Sequence, residues 1–216
     1  MRLALIGAIL IVLLGLVACG SDDPSASRTT TGPAIVALGD SVTLGLGLDV
    51  SESYPARLQR MLKADGFEYE VVNAGVVSLT TARGLEGIDE VLEGDVRFVV
   101  VALGGTDAYS GPGFRRQPVS EIRQNLAGIV ERVEARGGKV VLAGAEAPLD
   151  AEPDYRTELR AAYRDLAQQY ELPLIPDLLE GVEMVESLTL SDGVHPNAEG
   201  TKIVAATVYE VLRPLL

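Results

Sequence analysis

The sequence is poor in the residues on which several kinds of functional site depend. Histidine and cysteine occur once each among the 216 residues, as His195 and Cys19, and tryptophan does not occur. A single cysteine excludes a disulfide within the chain, and a single histidine excludes a metal site built from several histidines of one chain. Any chemistry that needs a histidine must therefore use His195. We predict no metal site and no cofactor.

Basic residues are also scarce. The chain has 18 Lys and Arg against 31 Asp and Glu, which gives a formal net charge of −13. Binding to a phosphate backbone needs clustered Lys and Arg, so this balance argues against a nucleic-acid partner. The acidic side chains are expected to form a soluble surface. With 47% hydrophobic residues, the chain has enough apolar material for the core of one compact domain.

The N-terminal segment has the composition of a processed leader. Met1-Arg2 is followed by LALIGAILIVLLGLVA, sixteen residues without a charge. This run is shorter than the roughly 20 residues that span a membrane, and it suits the core of a signal peptide. It ends at Leu16-Val17-Ala18-Cys19, which resembles the lipobox of bacterial lipoproteins, where cleavage precedes a cysteine that is then lipidated. We therefore predict a signal peptide at 1–18 and lipidation of Cys19.

A polar segment follows the predicted lipidation site. Residues 20–33, GSDDPSASRTTTGP, are rich in Ser, Thr, Gly and Pro, which predicts a flexible tether. The lipidated cysteine and tether would then occupy 19–33, and the domain 34–216. We expect a membrane-anchored lipoprotein of the cell envelope that faces the periplasm or the cell exterior. The alternative is an uncleaved anchor helix in which the cysteine is a chance residue.

Apolar segments alternate with helical patterns along the rest of the chain. Short apolar runs bounded by turn residues predict strands, and apolar residues three and four apart predict helices. Strands are predicted at 35–38, 68–73, 96–103, 139–145 and 172–176, and helices at 54–64, 80–92, 119–135, 155–170 and 198–212. This alternation is typical of an α/β domain whose parallel five-stranded sheet is covered by helices on both sides.

Polar residues follow the first three predicted strands directly. Gly39-Asp40-Ser41 comes after the first, 73–78 after the second, and 104–107 (GGTD) after the third. Ligands of such sheets bind beyond the carboxyl ends of the strands, so we expect these segments to meet at one edge. A serine held at the end of a strand can act as a nucleophile. The alternative is an ordinary turn, since Gly, Asp and Ser all favour turns.

A second polar segment, SDGVHPN at 191–197, precedes the last predicted helix. Asp192 and His195 are three residues apart, and Pro196 cannot lie in the middle of a helix, so this segment is a loop or a helix start. A tight loop allows the carboxylate to contact the imidazole ring, as a catalytic base requires. The alternative is that Asn197 or Asp192 only caps the last helix, with His195 an incidental loop residue.

Together, GDS after the first strand, GG-x-D after the central strand and DGVHPN near the C-terminus resemble the SGNH hydrolases, the GDSL group. VVNAG and LGGTDAYSG resemble its bacterial thioesterase I/lysophospholipase L1 and arylesterase branch. The resemblance spans 35 to about 210. It implies a flavodoxin-like three-layer α/β/α sandwich that hydrolyses carboxylic esters or thioesters of acyl, aryl or lysophospholipid type. We also expect a monomer that acts on a small acyl or aryl ester. The resemblance also implies that Ser41 is the nucleophile, His195 the base and Asp192 the acid that orients it.

The oxyanion site departs from the family pattern at two of its three positions. The resemblance assigns the first donor to the backbone N–H of Ser41. The second block of this branch reads N-A-x-x-x-G, and its glycine position is Ser78 here; the third block reads GxND, and its Asn position is Thr106. Ser78 keeps a backbone N–H but tolerates a positive φ less well than glycine. Thr106 has a shorter side chain with a single proton to donate.

Three functions remain open on these residues. The first is a membrane-tethered serine esterase, and the second is an O-deacetylase of cell-envelope polysaccharide. The third is a binding lipoprotein that lost activity with its oxyanion site, since one missing donor lowers the rate by about 10²–10³. Tyr109 and Phe114 are candidates for the wall of an acyl or aryl pocket, although a Gly/Pro-rich surface loop explains them equally.

Overall fold

The structure, a computed structural model, describes residues 32–111 and 113–216. The predicted signal peptide, Cys19 and the tether up to residue 31 lie outside this part. Five parallel strands form one sheet in the order β2-β1-β3-β4-β5, the order of flavodoxin-like folds. The strands are β1 Ala34–Gly39, β2 Glu70–Gly75, β3 Val96–Ala102, β4 Lys139–Ala143 and β5 Leu174–Ile175. The predicted parallel α/β sandwich is confirmed.

Eight α-helices occur in the described ranges, and four of them are short. They are α1 Ser41–Leu44, α2 Tyr54–Ala64, α3 Thr81–Glu86, α4 Ile88–Val91, α5 Gly105–Ala108, α6 Val119–Ala135, α7 Pro153–Gln169 and α8 Gly200–Leu212. Two 3₁₀ turns cover Val50–Glu52 and Arg213–Leu215. The bounds predicted for α2 and α6 match the structure. The helix predicted at 80–92 is divided at Gly87, a weak helix former.

The sheet is buried on both faces because successive side chains of a strand point to opposite sides. In β1, Val36 and Leu38 pack in the core under α3, α4, α6 and α7, whereas Ile35 and Ala37 pack in the core under α2 and α8. Strand β3 follows the same rule and is almost entirely buried from Phe98 onward. The continuous apolar runs of the sequence therefore correspond to strands that need apolar side chains on both faces.

All the strands run in one direction, so all strand-to-helix connections lie at the carboxyl edge of the sheet. The segments after β1, β2 and β3 and the 191–197 segment all reach this edge. Strand β1 begins at the opposite, amino edge. Within the described ranges, no helix combines the length and the apolar character that crossing a membrane requires.

Candidate active site

Ser41 lies where β1 ends and α1 begins. Asp40 is the N-cap of α1, and its Oδ1 accepts a hydrogen bond from the N–H of Val42 at 3.0 Å. Gly39 is required by the close approach of the chain, because a Cβ there would lie 2.0 Å from Thr43 Oγ1 and 2.8 Å from the carbonyl oxygen of Ala102. The Gly-Asp-Ser sequence therefore forms a tight strand-to-helix junction that presents Ser41 at the edge of the sheet.

Ser41, His195 and Asp192 form one hydrogen-bonded chain. His195 Nε2 lies 2.9 Å from Ser41 Oγ, and His195 Nδ1 lies 2.7 Å from Asp192 Oδ2. These residues come from opposite ends of the domain, since 154 positions separate Ser41 from His195. The arrangement is that of a nucleophile, a base and a carboxylate that orients the base. The structure thus brings the three predicted catalytic side chains together, and their roles in catalysis stay a prediction.

The loop before α8 fixes the acid and the base relative to each other. Asp192 Oδ1 accepts hydrogen bonds from the backbone N–H groups of Val194 and His195, both at 2.9 Å. Partial burial raises the pKa of Asp192, but these N–H groups and the His195 ring lower it by more, so the pKa lies below its ordinary value. Gly193 makes the turn possible with a φ of +74°. Asp192 is therefore held as a carboxylate beside the imidazole ring.

The capping role considered for this segment belongs to Asn197. Asn197 Oδ1 accepts hydrogen bonds from the N–H groups of Glu199 and Gly200 at the start of α8, at 2.9 and 3.1 Å. Its amide nitrogen donates to the carbonyl oxygens of Ser187 and Thr189. Capping and catalytic geometry are thus divided between two residues of the same loop, and Asp192 remains directed at His195.

Ser78, at the position where the family pattern has glycine, adopts a backbone conformation that favours glycine. Its φ is +58°, inside the left-handed region. The turn around it is closed by a hydrogen bond from the N–H of Leu79 to the carbonyl of Val76, and the N–H of Val76 bonds the carbonyl of Gly39. A non-glycine residue in this region costs about 1–2 kcal/mol. The turn therefore survives the replacement of glycine, and Ser78 lines the same cavity as Ser41.

The hydroxyl proton of Thr106 is donated to Asp40 and not to the expected oxyanion position. Its hydroxyl Oγ1 donates to Asp40 Oδ2 at 3.2 Å, which connects α5 to the junction after β1. Burial raises the pKa of Asp40, while the hydrogen bonds from Val42 and Thr106 and the nearby His195 lower it in part. A threonine hydroxyl can donate once. In this geometry it therefore stabilises the buried Asp40 carboxylate and has no proton left for an oxyanion.

Asp107 holds the GGTD segment in place. This buried carboxylate accepts hydrogen bonds from the N–H of Thr81 at 2.9 Å and from its hydroxyl at 2.7 Å. Asn125 in turn donates to Thr81 Oγ1 at 3.1 Å, so α3, α5 and α6 share one polar contact. Asp107 thus positions the loop that carries Thr106.

Ser41, His195 and Asp192 line a cavity of about 460 Å³ at the carboxyl edge of the sheet. The segments after β4 and β5 form its far wall, which carries the carboxylates Glu146, Asp177 and Glu183. Burial raises the pKa of Asp177 and of Glu183, and Asp177 and Glu146 raise that of Glu183 further. The apolar part of the wall is formed by Val42, Tyr109, Phe114, Pro148, Leu178, Leu179 and Val194.

Sequence reasoning identified part of this wall and missed the rest. Tyr109 and Phe114 line the cavity as an edge-to-face pair, with ring centroids 5.5 Å apart. The three carboxylates were missed, although they follow predicted strands and the rule that located Ser41 applies to them as well. Across the described ranges, no group of three or more His, Cys, Asp or Glu side chains is arranged to hold a metal ion.

Comparisons with known proteins cover the part of the chain that carries these side chains. The sequence model of the GDSL-like Lipase/Acylhydrolase family matches residues 37–203. Esterase TesA of Pseudomonas aeruginosa is 35% identical over 183 residues, which are 84% of this chain and 89% of that protein. Thioesterase 1/protease 1/lysophospholipase L1 of Escherichia coli is 28% identical over 190 residues, 88% of each chain.

Solved structures give the same picture. The crystal structure of TesA superposes with a TM-score of 0.79 at 34% identity and covers 85% of this chain and 99% of that one. The structure of AlinE4, an SGNH-hydrolase family esterase, has a TM-score of 0.69 at 37% identity and covers 88% of this chain and 100% of that one. The similarity therefore extends over the sheet, its helices and the loops of the site.

Proposed function

The chain belongs to the GDSL-like lipase/acylhydrolase family, as its motifs predicted, and on that premise we propose that it is a serine esterase that uses Ser41, His195 and Asp192. The observation that carries the proposal is the hydrogen-bonded chain from Asp192 through His195 to Ser41 in the wall of a cavity. A volume of about 460 Å³ lies in the range of small-molecule sites.

The proposed reaction follows from the positions of the atoms. Ser41 Oγ attacks the ester or thioester carbonyl while His195 Nε2 takes its proton, and the resulting imidazolium is stabilised by Asp192. The imidazolium then gives the proton to the leaving alcohol or thiol, and an acyl-enzyme remains on Ser41. Water, deprotonated by His195, attacks the acyl-enzyme and releases the acid. In each half-reaction one proton passes through His195: from Ser41 Oγ to the leaving group in the first, and from water to Ser41 Oγ in the second.

The oxyanion site that we propose has two backbone donors. The N–H of Ser41 at the start of α1 and the N–H of Ser78 in its turn both belong to residues of the cavity wall. The third position, Thr106, donates to Asp40. The missing third donor also supports the alternative function of a binding lipoprotein with impaired chemistry. The two candidates differ in whether Ser41 is activated.

Replacing Thr106 with asparagine should raise the rate. An Asn amide has two N–H bonds, so one can bond Asp40 Oδ2 while the other reaches the oxyanion, and it extends further from the backbone than the Thr hydroxyl. Because that contact forms mainly in the transition state, we expect kcat to rise with little change in KM. A tenfold gain would correspond to about 1.4 kcal/mol of barrier. Steady-state kinetics on a soluble p-nitrophenyl ester measure both constants.

Thr106→Val is the matched control for this change, because it removes the hydroxyl and keeps the side-chain shape. If the hydroxyl bonds only Asp40, the valine variant leaves the buried acceptor Asp40 Oδ2 unsatisfied. Its free energy of unfolding should then fall by about 1–3 kcal/mol, while kcat changes little. A fall in kcat of about 10²–10³ in Thr106→Val would instead mean that Thr106 donates to the oxyanion. A slower Thr106→Asn enzyme would also contradict the two-donor site.

We propose carboxylic esters and thioesters of acyl, aryl or lysophospholipid type as substrates. The relatives named as esterase, thioesterase/lysophospholipase and arylesterase support this range. The apolar wall with Tyr109 and Phe114 suits an acyl chain or an aryl ring, and the carboxylates of the far wall disfavour anionic substrates. A p-nitrophenyl chain-length series, compared with acetylated polysaccharide, separates an esterase from a polysaccharide O-deacetylase.

A fluorophosphonate probe tests the proposed function directly. The probe phosphonylates a serine only when a neighbouring base activates it, so labelling of Ser41 distinguishes an enzyme from a binding lipoprotein. We expect stoichiometric labelling at Ser41, located by peptide mass spectrometry. An unlabelled protein that still binds ester analogues would favour the binding function.

Attachment to a membrane through Cys19 is a further part of the proposal. It is supported by the uncharged run 3–18 and the Leu-Val-Ala-Cys sequence at its end. We expect the mature chain to begin at Cys19 and the tryptic peptide 19–28 to carry acyl mass. The Cys19→Ser variant should lack that mass and the membrane attachment that depends on it, since acyl chains contribute about 0.8 kcal/mol per buried methylene. A wild-type chain without acyl mass on Cys19 would contradict lipidation.

A further inference from the structure

Exposed apolar side chains are concentrated at one edge of the domain. Of the twelve large hydrophobic residues that are exposed within 32–111 and 113–216, eleven lie in the connections that follow the carboxyl ends of the strands. The twelfth, Ile203, lies on α8. We call the eleven the apolar rim: Leu44, Leu46, Val50, Val76, Val77, Tyr109, Phe114, Leu149, Met184, Val185 and Val194.

The apolar rim borders the proposed active site. Tyr109, Phe114 and Val194 belong both to the rim and to the wall of the cavity that contains Ser41. Scattered exposed apolar side chains are ordinary on a soluble protein, but a concentration around a functional opening marks an interaction site. The helix-to-strand connections at the amino edge contribute none of the twelve. The asymmetry indicates that the carboxyl edge contacts an apolar surface.

From this distribution we propose that the apolar rim docks on a lipid bilayer, so that the cavity receives ester substrate from the membrane surface. The choice of a bilayer rests on the chain that precedes the domain. The sixteen uncharged residues 3–18 support the attachment to a membrane that is proposed above, and 14 residues, 20–33, separate Cys19 from β1. A bilayer is therefore the apolar surface that lies within reach of the rim.

The length of the intervening segment allows the rim to face the membrane. The chain enters the domain at the amino edge, where β1 begins at Ala34, and the rim lies at the opposite edge. Fourteen residues span at most about 50 Å when extended. A domain of this size has a radius of gyration of about 16 Å and is about 40 Å across. The segment is thus long enough to pass alongside the domain while Cys19 and the rim contact the same bilayer.

The charge of the protein selects the kind of bilayer. The net charge is −13, and the carboxylates of Glu146, Glu183 and Asp192 face the cavity that the rim borders. Near this edge Arg160 pairs with Glu146 and Arg116 pairs with Asp150, so these ion pairs balance their own charges. The repulsion of anionic lipids therefore comes from the net charge of the protein. The partner surface is therefore zwitterionic, of the phosphatidylcholine or phosphatidylethanolamine type. The docking itself does not depend on the proposed esterase function. The delivery of ester substrate from the membrane to the cavity rests on that function.

Single tryptophans report docking without background, because the chain has none. Leu149→Trp places the reporter on the rim, at a side chain that is 70% exposed, and Ile203→Trp places a matched reporter away from it, at 37%. Both are made in the full chain and reconstituted with phosphatidylcholine vesicles, so that attachment through the N-terminus is common to both. We expect Leu149→Trp emission to move to shorter wavelength and to be quenched by brominated lipid, with Ile203→Trp unaffected.

Other outcomes of this measurement overturn the proposal. Equal exposure of both reporters to water would show that the rim does not meet the bilayer. A shift of Leu149→Trp emission that depends on protein concentration and needs no vesicles would assign the rim to a second copy of the chain. A shift only with anionic vesicles would contradict the zwitterionic surface.

A kinetic comparison separates docking from the chemistry. The variant Leu149→Ser/Met184→Ser changes two rim residues that do not line the cavity, and Ile203→Ser is its control. We expect the double variant to hydrolyse a soluble short-chain ester at the wild-type rate and an ester carried in phosphatidylcholine vesicles about tenfold more slowly. Equal rates on vesicles would refute docking and leave the esterase proposal intact. A wild-type protein inactive on the soluble ester would refute the esterase, while the tryptophan reporters still measure docking.

Discussion

Ser41→Ala should lose ester hydrolysis almost completely and keep the fold. The hydroxyl that is removed is the group 2.9 Å from His195 Nε2, and the remaining donors cannot replace a nucleophile. In serine hydrolases that act through such a chain, loss of the serine lowers kcat by about 10⁶-fold. The side chain is only partly buried, so stability should change by no more than about 0.5 kcal/mol.

An exposed serine close in sequence provides the control for this variant. Ser51 lies in the 3₁₀ turn after α1, and Ser51→Ala should retain wild-type turnover and labelling by the fluorophosphonate probe. Thermal unfolding of both variants, followed by circular dichroism, tests the fold separately from the activity. Turnover by purified Ser41→Ala within a factor of ten of wild type would remove Ser41 from the mechanism.

The fold could be predicted from the sequence because the apolar runs of the strands and the helical spacing of apolar residues are both clear. Continuous apolar runs marked the strands, and the spacing of Ile122, Leu126, Ile129 and Val133 marked α6, whose bounds were predicted correctly. The α-helices that were missed are α1 and α5, each of four residues. Helices this short have no periodicity to detect and are stabilised by caps and by contacts with other segments.

The contacts of the site could be predicted from the sequence only between residues that are close together in the chain. Asp192 and His195 are three residues apart, and one loop brings them together. The contact between Thr106 and Asp40 joins positions 66 apart, and a hydrogen bond between two specific side chains leaves no periodic pattern in a sequence. Comparison with the family pattern identified Thr106 as unusual. Only the geometry shows that its hydroxyl is used by Asp40.

The conformation of Ser78 also depends on contacts that the sequence does not reveal. A serine at a glycine position raised the question whether the turn could form, because positive φ is disfavoured for residues with a Cβ. The answer depends on how strongly the neighbouring segments hold the turn, and here the hydrogen bonds of Val76 and Leu79 do so. Tertiary contacts of this kind override a local preference of about 1–2 kcal/mol.

Asp192→Asn is expected to have the second-largest effect, a loss of about 10⁴-fold in kcat with the loop intact. The Asn carbonyl oxygen can still accept the two backbone hydrogen bonds that Asp192 Oδ1 accepts from Val194 and His195. The amide nitrogen, however, replaces the oxygen that lies 2.7 Å from His195 Nδ1. Two donors cannot share that contact, so the ring proton moves to Nε2, where it blocks acceptance of the Ser41 proton.

The test compares Asp192→Asn with Asp49→Asn, which removes the same charge from an exposed residue whose side chain makes no capping hydrogen bond. Asp49→Asn should leave kcat unchanged, which excludes a general effect of net charge. The pKa of Asp192 lies below its ordinary value because of its hydrogen bonds, so the carboxylate stays ionised from neutral to mildly acidic pH. The difference between the two variants should therefore persist over that range. Because the effects of mutations within one catalytic unit are not additive, Ser41→Ala/Asp192→Asn should be no slower than Ser41→Ala alone.

Activity of Asp192→Asn within tenfold of wild type would mean that another carboxylate orients His195, and the buried Asp40 would be the next residue to replace.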